Sequence, residues 1–192
     1  MNHLPHLPRR GVFALAGAAA TAMLPLQHAI AQTASAKGDW FAMIKAQHAL
    51  VAATLDKIVD SEKQTFLQRE RLQDALSYQL TAHSVAEENV LYPMIATRGM
   101  VAEADKLYID QAHAKVMNSQ LEMTLKHKKG DPSWMESARA LRTAVLTHAK
   151  EDEEGNLYPR LQSMLSPQEN AELTMLFARE FASVKPRRAL PV

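Results

Sequence analysis

An all-α fold, specifically an up-down antiparallel four-helix bundle with an additional short C-terminal helix, is predicted for this 192-residue sequence by three observations. Only six residues are Gly, 47% are hydrophobic, and much of the remainder is Glu, Lys and Gln, a composition that leans toward helix. Apolar positions recur at spacings of three and four over long runs. The runs are divided by short breaker segments, TRGM at 97–100 and KKGDPS at 128–133, and short loops between long helices make neighbours antiparallel.

The first 31 residues, or 36, read as an export signal. Arg9 and Arg10 precede an Ala/Gly-rich apolar stretch broken at Pro25, and small-residue exits follow at Ala29-Ile30-Ala31 and Ala34-Ser35-Ala36. Paired arginines ahead of a mild apolar run look like a twin-arginine signal, so the mature chain is expected in the periplasm or exported, with no stable membrane span after cleavage. Residues 1–31 carry two basic and no acidic groups, so cutting there takes the formal charge from +1 to −1. Such a chain gives no reason to expect nucleic acid.

The bundle is expected over 38–165. Its first helix carries Phe41, Ile44, His48, Val51, Leu55 and Ile58 on one face. A second opens at the box Ser61-Glu62-Lys63-Gln64 and turns Leu72, Leu76, Leu80, His83, Glu87, Leu91 and Met94 inward. The third, after TRGM, is expected to bury Ile109, His113, Val116, Met117 and Leu121. The fourth follows the stop-and-start signal Gly-Asp-Pro and presents Trp134, Ala138, Leu141, Val145 and His148. A fifth helix, 166–184, starts at the box Ser166-Pro167-Gln168-Glu169 and carries Leu173, Leu176, Phe177 and Phe181, and 185–192 is a tail.

With no cysteine, any metal chemistry falls to His, Asp and Glu. The chain nearly repeats itself: HSVAEENVLYP at 83–93 and HAKEDEEGNLYP at 148–159 each set a histidine and acids ahead of Leu-Tyr-Pro. His48 and His113 stand 65 residues apart, as do His83 and His148. Residues equidistant from a hairpin turn face each other, and the midpoints of successive histidines fall at or near the turns, which puts all four at one level. Buried imidazole and carboxylate are costly unless something inside needs them, and nitrogen with carboxylate oxygen suits iron, manganese or zinc. Glu87 lies one helical turn beyond His83 on the same face. Its counterpart is Asp152 counting from His148, or Glu153 counting back from Leu-Tyr-Pro. A one-residue π-bulge reconciles the two and favours Glu153. Glu88, Glu151 and Glu154 are expected to face water, and Tyr92 and Tyr158 to serve packing.

This ordered set of His48, His83 with Glu87, His113, and His148 with Asp152 or Glu153 resembles the hemerythrin family, in particular its HHE cation-binding branch, over roughly 38–165. The resemblance implies a four-helix bundle around two carboxylate-bridged, non-haem iron ions, with manganese or zinc as the lesser choices. Dioxygen or another small ligand would bind the iron. It would give His48 and His83 to one iron, His113 and His148 to the other, and both acids to the pair. Where oxygen carriers have a further histidine one turn after the third-helix histidine, this chain has Met117, a poor ligand for hard iron. The competing readings are a di-iron oxidase or peroxide-scavenging enzyme, and a structural or partner-binding bundle whose histidine layer is empty or holds zinc.

Overall fold

The computed structural model describes residues 38–127 and 132–186. The export signal, the Gly130-Asp131 turn and most of the tail lie outside the described residues. Helix α1 (Trp40–Val59) is capped by Asp39, whose side chain accepts from the Ala42 amide at 3.0 Å. After a 3₁₀ turn (Ser61–Lys63), α2 (Phe66–Ala86) runs through a π-helical turn, π1 (Glu87–Leu91), into α3 (Tyr92–Thr97), so these three make one rod. The third rod is α4 (Val101–His127). The fourth joins α5 (Ser133–Thr147), the π-helical π2 (His148–Leu157) and α6 (Tyr158–Ser163). Helix α7 (Pro167–Ser183) follows. No helix among the described residues is long and apolar enough to cross a membrane.

The rods form a ring in which α1 meets α2, α2 meets α4, α4 meets α5 and α5 meets α1. Contacts step outward from each turn as antiparallel hairpins require: Arg69 bonds the Ser61 carbonyl, then His83 reaches His48. Between the second and third rods the chain turns at Gly99, whose φ of +84° is the left-handed conformation that glycine adopts without strain. Helix α7 closes one side, where Trp40 donates its indole N–H to Asn170 at 2.8 Å and its amide to Thr174 at 3.0 Å.

Two expectations for the helices are corrected. The capping box of the second helix is Thr65 with Gln68, not Ser61 with Gln64; the Ser61 hydroxyl instead donates to the Ile58 carbonyl and ends the first rod. The third rod is rotated from its expected face: Ala104, Leu107, Gln111, Asn118, Leu121 and Leu125 are buried, while Ile109 is 67% and Val116 53% exposed. The box opening α7, Ser166 with Glu169, forms as expected.

The core divides in two. One apolar cluster gathers Trp40, Ile44, Leu91, Tyr92, Ile95, Leu107, Tyr158, Leu161 and Phe177. The other gathers Val51, Leu55, Ile58, Leu76, Leu121, Leu125, Trp134 and Leu141. On every rod the chain passes between them through buried or nearly buried polar residues: His48 on α1, His83 and Glu87 on the second rod, Gln111 on α4, His148 and Glu153 on the fourth. Water is kept from that layer on both sides.

Candidate metal centre

The two π-helical segments aim the layer. In an α-helix, residues five apart point about 140° from each other; in a π-turn, with i to i+5 hydrogen bonds, they stack. His83 and Glu87 still lie within α-helical spacing, at i and i+4, and their Nε2 and Oε2 are 3.0 Å apart. Beyond Glu87 the backbone widens, so Tyr92 at i+5 returns over it and its hydroxyl lies 3.2 Å from Glu87 Oε2. On the fourth rod π2 begins at His148 itself, so Glu153 rather than Asp152 returns over the imidazole, 3.1 Å away. The same widening brings Tyr158 onto Glu153 at 2.7 Å. The extra residue of the second motif is therefore absorbed in backbone geometry. Gly155 permits it, since a Cβ there would stand 2.8 Å from the Lys150 carbonyl oxygen, five residues back.

Four residues converge with no more than 5% exposure: His48, His83, Glu87 and Glu153, one ligand atom of each lying within 4.8 Å of the others. His48 Nε2 is 3.1 Å from His83 Nε2 and 3.2 Å from Glu153 Oε2. The far nitrogens are held: His48 Nδ1 lies 2.8 Å from Glu154 Oε1 and His83 Nδ1 2.8 Å from Gln47 Oε1. An Nδ1–H anchored on an oxygen leaves Nε2 as the inward-facing atom, the usual arrangement of a metal-binding imidazole. His148 also turns Nε2 toward Glu153, but its Nδ1 is not hydrogen-bonded and lies 3.5 Å from the nearest Asp110 oxygen.

The electrostatics call for positive charge here. Burial works against ionisation of His48 and His148, but Glu153 and Glu87, with Glu154 beside His48 and Asp110 beside His148, outweigh it and raise each imidazole to about 9. Burial likewise opposes the charge of Glu153, yet His148 and His48 hold it well below the usual carboxylate range. Glu153 Oε2, fully buried, has His48 Nε2 3.2 Å away but forms no well-aligned hydrogen bond. Two carboxylates, inward imidazole nitrogens and an oxygen without a well-aligned hydrogen bond fit a cation better than they fit protons, each of which serves one acceptor at a time. Burial first, and then the charges of Glu153 and Glu87, push the Tyr92 and Tyr158 phenols well above their ordinary range.

Of the residues expected at the centre, His48, His83, Glu87, His148 and Glu153 are brought together. His113 is not: it is exposed on α4, because it lies two residues past Gln111 and thus on nearly the opposite helix face. Gln111 takes its place, donating to Glu87 Oε2 at 2.6 Å and to Tyr92 Oη at 2.9 Å. Asp152 also lies outside. It pairs with Lys106 at 2.6 Å, and it forms with Asp110 and His148 a second, half-buried group of potential ligands that the Lys106 ammonium already serves. Glu154 does not simply face water but holds His48, while Lys150 holds Glu154 in turn. Tyr92 and Tyr158 are not mere packing, since both hydroxyls reach the carboxylates. The sequence does mark Gln111 in one way: it and Glu87 are equidistant from Gly99.

The family model described as the hemerythrin HHE cation binding domain matches residues 41–162. A protein of Nostoc sp. strain PCC 7120 named "DNA nickase" is 30% identical over 108 residues, covering 56% of this chain and 28% of that protein. This chain thus aligns with little more than a quarter of that relative's length. No solved structure matches the chain.

Proposed function

The chain belongs to the hemerythrin HHE cation-binding family, and from that premise we propose that its buried layer holds a pair of non-haem iron ions bridged by Glu87 and Glu153, and binds or senses dioxygen there. The observation that carries this reading is Glu153. Its Oε2 lies 3.2 Å from His48 Nε2 and its Oε1 3.1 Å from His148 Nε2, so one carboxylate addresses imidazoles of two different rods through separate oxygens. Iron, when bound, supplies a redox-active Lewis acid for a small ligand, and imidazole with carboxylate suits it, with manganese and zinc as lesser choices.

The chain's own groups do the rest. Glu154 and Gln47 orient the two imidazoles through Nδ1, and the Tyr158 hydroxyl lies 2.5 Å from Glu87 Oε1 and 2.7 Å from Glu153 Oε1, its one proton shared between them, which fixes the carboxylates relative to each other. Beside the imidazoles lies a small cavity walled by Val51, Leu80, Ala114 and Val145, with Gln111 at its edge. Apolar walls exclude water and suit a small uncharged molecule. Because α4 brings Gln111, not an imidazole, into the layer, the layer is one nitrogen short, which favours oxidase or peroxide-scavenging chemistry over reversible carriage as the second reading. The nickase activity named for the Nostoc relative is not carried over, because the shared stretch is 28% of that protein and the net charge of +1 offers no basis for phosphate binding. Reading residues 1–31 as an export signal places the working protein in the periplasm, which N-terminal sequencing of the exported chain tests.

Metal analysis of protein purified in air tests the central reading. Two irons per chain, with near-ultraviolet absorption that shifts on adding azide, are expected; a colourless chain without iron overturns it. Oxygen uptake that depends on an added reductant or peroxide separates the enzyme from the carrier, which returns its oxygen.

A further inference from the structure

Resting on the reading of the layer as an iron site, we propose that Tyr92 is itself a metal ligand, its phenolate oxygen closing the coordination of the ion at the His148 end in place of the imidazole that the third rod does not supply. In an octahedral arrangement with bonds of about 2.1 Å, adjacent donor atoms stand about 3 Å apart. Tyr92 Oη is 3.0 Å from Glu153 Oε1 and 3.3 Å from His148 Nε2, and those two are 3.1 Å from each other. Together they outline one triangular face of such an octahedron. The same spacing governs the other end, where His83 Nε2 lies 3.1 Å from His48 Nε2 and 3.0 Å from Glu87 Oε2.

The hydrogen bonds around Tyr92 point the same way. Ser84 donates to Gln111 Oε1 at 2.7 Å, which turns the Gln111 amide nitrogen toward Tyr92 Oη. That oxygen therefore already accepts a bond, and it stands within hydrogen-bond distance of three potential ligand atoms: Glu87 Oε2, Glu153 Oε1 and His148 Nε2. The phenol proton can point at only one of them, whereas a cation in its place can be shared by the phenolate, Glu153 Oε1 and a deprotonated His148 Nε2 at once. On ligation the O–H bond breaks, the proton leaves to solvent and an oxygen–metal bond forms, with no change of oxidation state. Tyr158 is the internal control: it comes from the other Leu-Tyr-Pro and its hydroxyl also meets both carboxylates, but only Tyr92 of the two adds the contact to His148 Nε2 that completes the face.

The test uses the full chain loaded with ferrous iron and oxidised in air, followed by visible absorption, resonance Raman and iron counting. A phenolate-to-ferric charge-transfer band with tyrosine ring modes is expected in the wild type, retained in Tyr158→Phe and lost in Tyr92→Phe, which keeps the near-ultraviolet absorption. Iron bound without that band in the wild type overturns the role of Tyr92 and leaves the iron reading standing. A band of equal strength in Tyr92→Phe also overturns it. A wild-type chain that takes up no iron overturns both.

Discussion

Glu153 has no exposure, and a carboxylate so placed is stable only because charge of the opposite sign surrounds it. In the metal-free chain protons on His48 and His148 supply that charge. Their folded values, about 9, lie above the ordinary 6.5, so their contribution to stability is full below pH 6.5 and lost as pH rises through 9. Glu153 works in the opposite sense: its contribution is present above the ordinary 4.5 and is lost as pH falls toward its depressed value. The metal-free protein should therefore melt highest between about pH 5 and 6.5 and lose melting temperature toward pH 9. Metal must displace the same protons, and Tyr92 gives up its own on ligation, so loading should release up to about three per chain and affinity should climb over that interval. Calorimetry in buffers of different ionisation enthalpy measures the release, and a pH-independent affinity contradicts it. Glu154→Ala, which frees His48 Nδ1, should weaken metal binding by about 10–100-fold with little change in fold. His113→Ala should leave metal content unchanged, as expected of an exposed residue.

At the scale of elements, the paired π-helical segments separate this site from an ordinary helical core. Gly155→Ala would push a Cβ to 2.8 Å from the Lys150 carbonyl, and backbone cannot yield there as a side chain can. A loss of about 1–3 kcal/mol is expected, with reduced metal content as Glu153 loses its aim; a fully loaded variant of wild-type stability contradicts this. The sequence shows the second π-segment indirectly, because counts from His148 and from Leu-Tyr-Pro disagree by one residue. It hides the first, since His83 to Glu87 has ordinary spacing and nothing before Tyr92 marks the widening. The third helix is misread for a physical reason. Ile109, Val116 and Met123 repeat every seven residues, as does a competing stripe of Leu107, Ala114 and Leu121 two positions away, and periodicity alone does not choose between them. His113, exposed between members of the outer stripe, is carried to the wrong face with it.

At the scale of the whole molecule, the polar layer joins all four rods between two apolar clusters that would otherwise make one continuous core. The bundle was legible in the sequence because each cluster repeats the same three-four spacing; the layer was legible because histidines and acids interrupt that spacing at matching heights. What joins the rods there is chemistry that periodicity does not encode, and so Gln111, Tyr92 and Glu154 emerged only from the fold. A ligand that binds only the folded state stabilises it by about 2.7 kcal/mol at one hundred times its dissociation constant. Stripping the metal should accordingly lower the melting temperature by roughly 5–10 °C in a domain of this size. Identical melting with and without chelator contradicts a metal that ties the rods.

The most direct measurement is X-ray anomalous scattering at the iron edge from crystals of the iron-loaded chain. Two peaks inside the bundle are predicted, one among His48, His83, Glu87 and Glu153 and one beside His148, both within bonding distance of Glu153. An empty layer, or iron found solely at the Asp110 and Asp152 surface group, would contradict the account.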